Sequence, residues 1–374
     1  MRSISQNASI ALAFLWLVSP HLGQVRAADR WWDTGNGSGL QAGDGNWSTS
    51  AGNWNSSATP SGGGRGNWTN GDNAIFQTNG TSAVTVSGTV QVATIAFNGT
   101  GYTVGGTELT LTGTNITTTA SGTIDAPIGG SVGLTKLGLA TLTLGGTNTY
   151  TGLTTVSAGA IVLSTGTNSI ASSSGITVAA GALFQVGSAG AGSLNLGATQ
   201  TLSGNGTVRG GVNAPSGAKI TPGSSVGKLT LNGAGGITMA SGATLEVELG
   251  APTTAGTTYD QLVIDGGGSS KTFTPGNATL KLVGLSGITT GQAYTIVSAV
   301  NSGTINTGSF FKNADLAGTV MSSNATTYSQ NGLSFTLNQT SSAITVTFSA
   351  VPEPSTLGLA MLAAPVILRR RRRA

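Results

Sequence analysis

The chain has 374 residues, 60 of them glycine, and only 7% are charged. A formal charge of +4 would fit a nucleic-acid partner, but seven of the arginines sit at the two ends, at Arg2, Arg26 and residues 369–373. Residues 28–350 carry nine basic and eleven acidic side chains, and nucleic acid is excluded as a partner. Cysteine is absent and the single histidine, His21, falls in the leader, so Ser-His-Asp and Cys-His catalysis and ordinary zinc or haem sites are excluded from the exported part.

The chain opens as a secretory signal peptide over residues 1–27: Arg2, an apolar run over residues 10–18, then Val25-Arg26-Ala27. Cleavage is expected after Ala27, which makes the Sec machinery and a signal peptidase its first partners. Without cysteines the exported protein must draw its stability from core burial and backbone pairing.

Residues 28–80 form a Trp/Gly-rich N-terminal cap. All five tryptophans outside the leader lie here, at Trp31, Trp32, Trp47, Trp54 and Trp68, the last three in Gly-Asn-Trp blocks. Two readings stand together. The segment covers an open sheet end, which is otherwise a sticky edge. Alternatively Trp47, Trp54 and Trp68 are a candidate glycan contact, an aromatic platform for sugar rings. Asp33, Asp44 and Asp72 match no calcium-loop spacing and read as Asx-turns, and no metal or other cofactor is expected.

Residues 81–250 alternate apolar and polar at period two, as in Thr141-Leu142-Thr143-Leu144 and Thr244-Leu245-Glu246-Val247-Glu248-Leu249. Leu or Val is expected to face in, and Thr, Lys or Glu out. A strand–turn–strand unit recurs around Gly159-Ala160, Gly181-Ala182 and Gly242-Ala243, the first two glycines 22 residues apart. A period near 20 with short strands predicts an all-β fold, a right-handed parallel β-helix. A β-sandwich is the competing architecture.

Within this body, residues 134–164 read LTKLGLATLTLGGTNTYTGLTTVSAGAIVLS. This resembles the autotransporter-associated β-strand repeat, with Lys136, Gly138, Leu142, Leu144, Asn148 to Gly152, Ala158 and Gly159 in the family's places. The resemblance implies a β-helical stalk element without catalytic residues. The strand pattern of a membrane barrel does not occur in this sequence, so the resemblance implies a shape and not self-secretion.

Two decoys lie downstream. Residues 223–229 look like a phosphate loop but have one residue too few between the glycines and Leu229 where a metal-binding hydroxyl is required, so a turn is expected. Glu246 and Glu248 share one face of a strand, compatible with a glycosidase pair, yet that face is solvated and no acid-tuning environment is evident. The chain is not expected to be an enzyme. Residues 251–350 lack the repeat and read as a β-rich C-terminal module or cap.

Residues 351–374 close the chain: Val351, Pro352, Glu353, Pro354 and Ser355, an apolar run over residues 357–368, then Arg369, Arg370, Arg371, Arg372 and Arg373. The prolines hold the first part extended. The apolar run would span about 18 Å as a helix against a hydrocarbon core of about 30 Å, a transient inner-membrane anchor rather than a permanent one. The order of the three parts resembles the PEP-CTERM sorting sequence. That resemblance implies processing by an exosortase-type protease in a Gram-negative-type bacterium, delivery to the cell surface or extracellular matrix, and a link to exopolysaccharide and biofilm. The expected function is that of an exported, non-catalytic structural protein. A carbohydrate-binding adhesin is the alternative, and a polysaccharide-cleaving enzyme stands third.

Overall fold

The computed structural model describes residues 26–62, 64–164, 170–284, 287–313, 327–330 and 333–349. The chain winds as a solenoid of parallel coils with three faces. The first face runs from Asn73–Phe76 through Leu134–Leu137 and Thr201–Gly204 to Lys312–Asn313. The second runs from Gly45–Trp47 through Thr141–Leu144 to Ala293–Val300. The third is split into a sheet from Val90–Val92 to Ile128–Gly129 and another from Ser193–Asn195 to Gly303–Ile305. Between the two ends, strands pair in parallel with their counterparts one coil away, as in Ile95 with Ile116 and Ile116 with Lys136. A β-sandwich is built from antiparallel neighbours, so this pairing sets that alternative aside.

The two-residue period explains the winding. In Thr141–Leu144 and Thr244–Glu248 the leucines and Val247 are buried while the alternate side chains stay partly exposed. A buried leucine contributes about 1.5–3 kcal/mol, but one coil has nothing to pack on except the next. Stacking therefore builds one axial core, from Trp32 to Phe348. The recurring turn glycines adopt the left-handed region, Gly159 at φ 64°, Gly181 at 76° and Gly242 at 90°. A Cβ is disfavoured there, which is why the turn repeats with the coil.

Two sequence expectations need correction. Parallel pairing continues past residue 250: Lys228–Asn232 pairs with Gln261–Asp265 and then with Ala293–Val300, and Thr244–Glu248 pairs with Thr279–Val283. The region after 250 is thus a continuation of the solenoid with larger coils, Leu245 and Leu280 being partners 35 residues apart. Longer turns such as residues 249–260 stretch the period and hide it from a search near 20 residues. The other correction concerns lysine. Lys136 and Lys271 point inward and are fully buried, Lys136 in a column between Ile116 and Val156 and Lys271 beside Gly303.

Both ends switch to antiparallel pairing. Asp29–Trp32 pairs with Trp54–Asn55, which pairs with Arg65–Gly66. At the other end Ala293–Val300 pairs antiparallel with Ala343–Ser349, followed by Leu333–Gln339 and Thr327–Gln330. Turning the last strands back covers edges that would otherwise template further pairing.

Candidate functional site

The candidate sugar platform lies inside the N-terminal cap. Trp47 and Trp54 are 0% exposed and Trp68 is 2% exposed. Trp54 lies 4.7 Å from Trp68 and 5.2 Å from Trp32 between ring centroids, and Phe76 extends the cluster to Phe97. A stacking platform needs an open ring face, so these three side chains act as the plug of the solenoid end. Gly-Asn-Trp spacing cannot distinguish the two roles, because both need large rings close together. Trp31 differs: it occupies the outward register beside Ile75 and donates its indole N–H to Gln77 Oε1 at 3.2 Å.

The aspartates of this region serve the backbone. Asp33 accepts from the amides of Gly35 and Gln41, Asp44 from the amide of Ala83, and Asp72 from the amide of Ala28 and the guanidinium Nε of Arg30. Among the described residues no group of three or more His, Cys, Asp or Glu is placed to hold a metal ion. The sorting motif, Val351 to Ser355 with Arg369 to Arg373, and the leader up to residue 25 lie outside the described residues. No helix among the described residues is long and apolar enough to cross a membrane.

Residues 134–163 show what the repeat residues do. Lys136 Nζ donates to the carbonyls of Leu137, Gly138 and Ala158 at 3.0, 2.7 and 3.1 Å, tying its own turn to that of the next coil. Burial pushes its ammonium down to about 8, so it remains largely charged at neutral pH. Asn148 accepts from the Ile128 amide at 3.0 Å and donates to the Gly146 carbonyl, so a non-strand segment holds its place on the third face. Tyr150, Thr154 and Ser173 form a buried hydroxyl chain with spacings of 2.8 and 2.9 Å across to the next coil. Lys136, Asn148 and the Thr154–Ser173 pair each join one coil to another. Lys271 repeats the lysine device, reaching the carbonyls of Gly210, Asn232 and Gly233.

On the first face a groove of about 430 Å³ lies between the sheet and the turn at residues 223–227. The phosphate-loop decoy is this turn. Gly204 and Gly223 exchange backbone hydrogen bonds at 3.1 and 2.9 Å, and the Gly227 amide donates to Asp260 Oδ1 at 2.7 Å. The Glu248 amide donates to Asp260 Oδ2 at 2.7 Å. Asp260 thereby clasps the turn to the sheet. Its carboxyl is pushed up to about 7, first by burial and further by Glu248 and Glu246, against the downward pull of the two amides. Glu246 is paired with Lys281 at 2.9 Å. Glu248 also faces the groove. The two glutamates do share an outward face, as their alternation requires. Asp260 was not legible in sequence, because it reaches Gly227 from 33 residues away.

Two comparisons bear on this architecture. Residues 134–163 match the Passenger-associated-transport-repeat, the segment whose lysine and asparagine bind adjacent coils. Over 230 residues the chain is 34% identical to the adhesin BmaC autotransporter of Brucella suis biovar 1 (strain 1330), a match covering 60% of this chain and 6% of that much longer protein. The chain is thus a β-helical solenoid that carries a Passenger-associated-transport-repeat and resembles a short stretch of an autotransporter adhesin.

Proposed function

We propose that this chain is an exported, non-catalytic structural protein of the cell surface or extracellular matrix, which presents a long polar β-helical surface and adheres through it. The observation that carries this reading is the unbroken parallel stack from Asn73–Phe76 to Lys312–Asn313, whose repeat residues are consumed in joining coils. Similarity to an adhesin supports the surface role. The route rests on sequence resemblance: Sec export, signal-peptidase cleavage after Ala27, and an exosortase-type protease acting at Val351 to Ser355 while residues 357–373 anchor the chain transiently in the inner membrane. An exopolysaccharide of a biofilm matrix is the proposed surrounding.

Intact mass and terminal peptides of protein recovered from cell surface and medium test this route. A chain starting at Ala28 and lacking Arg369 to Arg373 supports it. A retained arginine tail in the membrane fraction overturns exosortase-type sorting and leaves a tethered stalk.

The glycan-binding reading survives in another place. With Trp47, Trp54 and Trp68 buried, the groove beside Glu248 is a concave site lined by polar side chains on the outer face. Catalysis there is disfavoured, because Glu246 is held by Lys281 and both oxygens of Asp260 accept backbone amides.

A further inference from the structure

We propose that the groove on the first face binds an amine-bearing segment of a polysaccharide, an inference that rests on the adhesive-surface reading and gives it a site and a ligand class.

The size of the groove, about 430 Å³, falls in the range of about 300–1,000 Å³ that takes small ligands. Its hydroxyls divide into two sets. Thr177 and Ser203 satisfy each other at 2.9 Å. Those of Thr201, Thr221, Ser224 and Ser225 line the groove with no hydrogen-bond partner among the described residues. A hydroxyl both donates and accepts, which matches the hydroxyls of a sugar ring.

Charge selects among sugars. Lys281 neutralises Glu246, and Asp260 spends both oxygens on backbone amides. The carboxylate of Glu248 has no partner among the described residues, so the groove presents an uncommitted negative charge. That charge opposes uronates, sulfated sugars and phosphates, and it favours an ammonium group. Apolar lining is confined to Val283, Pro222 and aliphatic stems, too little to hold a peptide by its side chains. The walls are rigid: one is a sheet, and the other is pinned by the Gly204–Gly223 pair and the Asp260 clasp. A site held this way needs little ordering on binding.

Calorimetric titration of the full exported protein tests the site with three probes: a chitosan hexamer, its fully N-acetylated counterpart and a galacturonate hexamer. The chitosan hexamer is expected to bind, more weakly as salt rises, while the galacturonate hexamer does not. Glu248→Gln, which leaves the backbone bond from residue 248 to Asp260 in place, is expected to weaken chitosan binding at least tenfold with an unchanged melting temperature. Ser225→Tyr, which fills the groove, is expected to abolish it, and Thr135→Tyr, elsewhere on the same face, is expected to leave it intact. Absence of chitosan binding overturns the proposal, as does equal affinity for the N-acetylated hexamer or indifference to Glu248→Gln. Adhesion of cells displaying the groove variants separates the two levels: wild-type adhesion alongside failed titration removes this site and leaves the surface role standing.

Discussion

The backbone nitrogen of Ala28 lies 3.0 Å from Asp72 Oδ1, while Arg30 Nε lies 2.8 Å from Oδ2 of the same carboxylate. Ala28 is the residue that cleavage after Ala27 would leave first. The amide N–H would then become an ammonium, already seated on an almost buried acid. The bond from a neutral amide to a carboxylate would then become an ion pair charged on both sides, which is shorter and stronger. Protein starting at Ala28 is therefore expected to melt higher than protein extended by a few leader residues. Asp72→Asn should lower the melting temperature of the first more than that of the second. Equal losses would show that only Arg30 uses Asp72.

Lys136 gives a prediction about the repeat itself. Lys136→Met keeps the stem but removes the ammonium donor from the carbonyls of Leu137, Gly138 and Ala158, and a loss of about 1–3 kcal/mol is expected near neutral pH in denaturant unfolding. The pH dependence has a defined sign. Burial lowers the ammonium from 10.5 to about 8, so between these values the folded chain binds fewer protons than the unfolded one. Stability attributable to this group therefore rises as pH climbs from about 8 to 10.5. Lys271, lowered to about 8 mainly by burial, acts in the same direction. Replacing Lys136 should flatten part of that rise, and replacing both lysines should flatten it further.

These lysines mark where sequence stops being informative. The alternation of Leu142 and Leu144 reports a buried face because burial follows from strand geometry alone. The place of Lys136 in the repeat was legible from its resemblance, but its direction was not. An inward lysine needs carbonyls from two coils to receive it, and those are set by stacking. The tryptophans show the same limit: Trp47, Trp54 and Trp68 announce an aromatic cluster that fits a cap or a platform, and only the antiparallel closure of the first strands decides that it is covered. Asp260 sits in a long turn beyond the regular repeat and gains its role by meeting Gly227 and Glu248 in space.

Gly122 tests the packing of the coils against the cap. It takes an inward place in Gly122–Ile124 and pairs with Leu142 one coil on. A Cβ built there runs into the Phe97 ring, which is stacked on Phe76 at 5.1 Å. Gly122→Val is expected to destabilise by at least about 2 kcal/mol, toward the upper part of the usual cost of overpacking. Phe97→Leu alone should also destabilise, through lost burial. The double variant should be more stable than the sum of the two losses predicts, because the smaller side chain makes room for the added methyls. Strict additivity in a double-mutant cycle would show that the backbone moves instead of the ring.

Asp260 makes the groove sensitive to acid in the direction opposite to most carboxylates. Its carboxyl is raised from 3.8 to about 7, first by burial, with two amides pulling it down and Glu248 and Glu246 pushing it up. The folded chain thus holds this proton more tightly than the unfolded chain does. Stability contributed through Asp260 rises as pH falls from about 7 towards 4 and is lost as pH climbs back through 7. An Asp260→Asn variant cannot titrate, and one amide position must now face an NH₂ group. It is expected to lose stability overall, because a backbone donor from Gly227 or Glu248 is left without an acceptor. Its unfolding free energy should also be flatter than wild type between pH 4 and 7. Paired urea titrations at pH 4.5 and 7.5 read both effects, and an unchanged pH slope in the variant would assign the dependence to other acids.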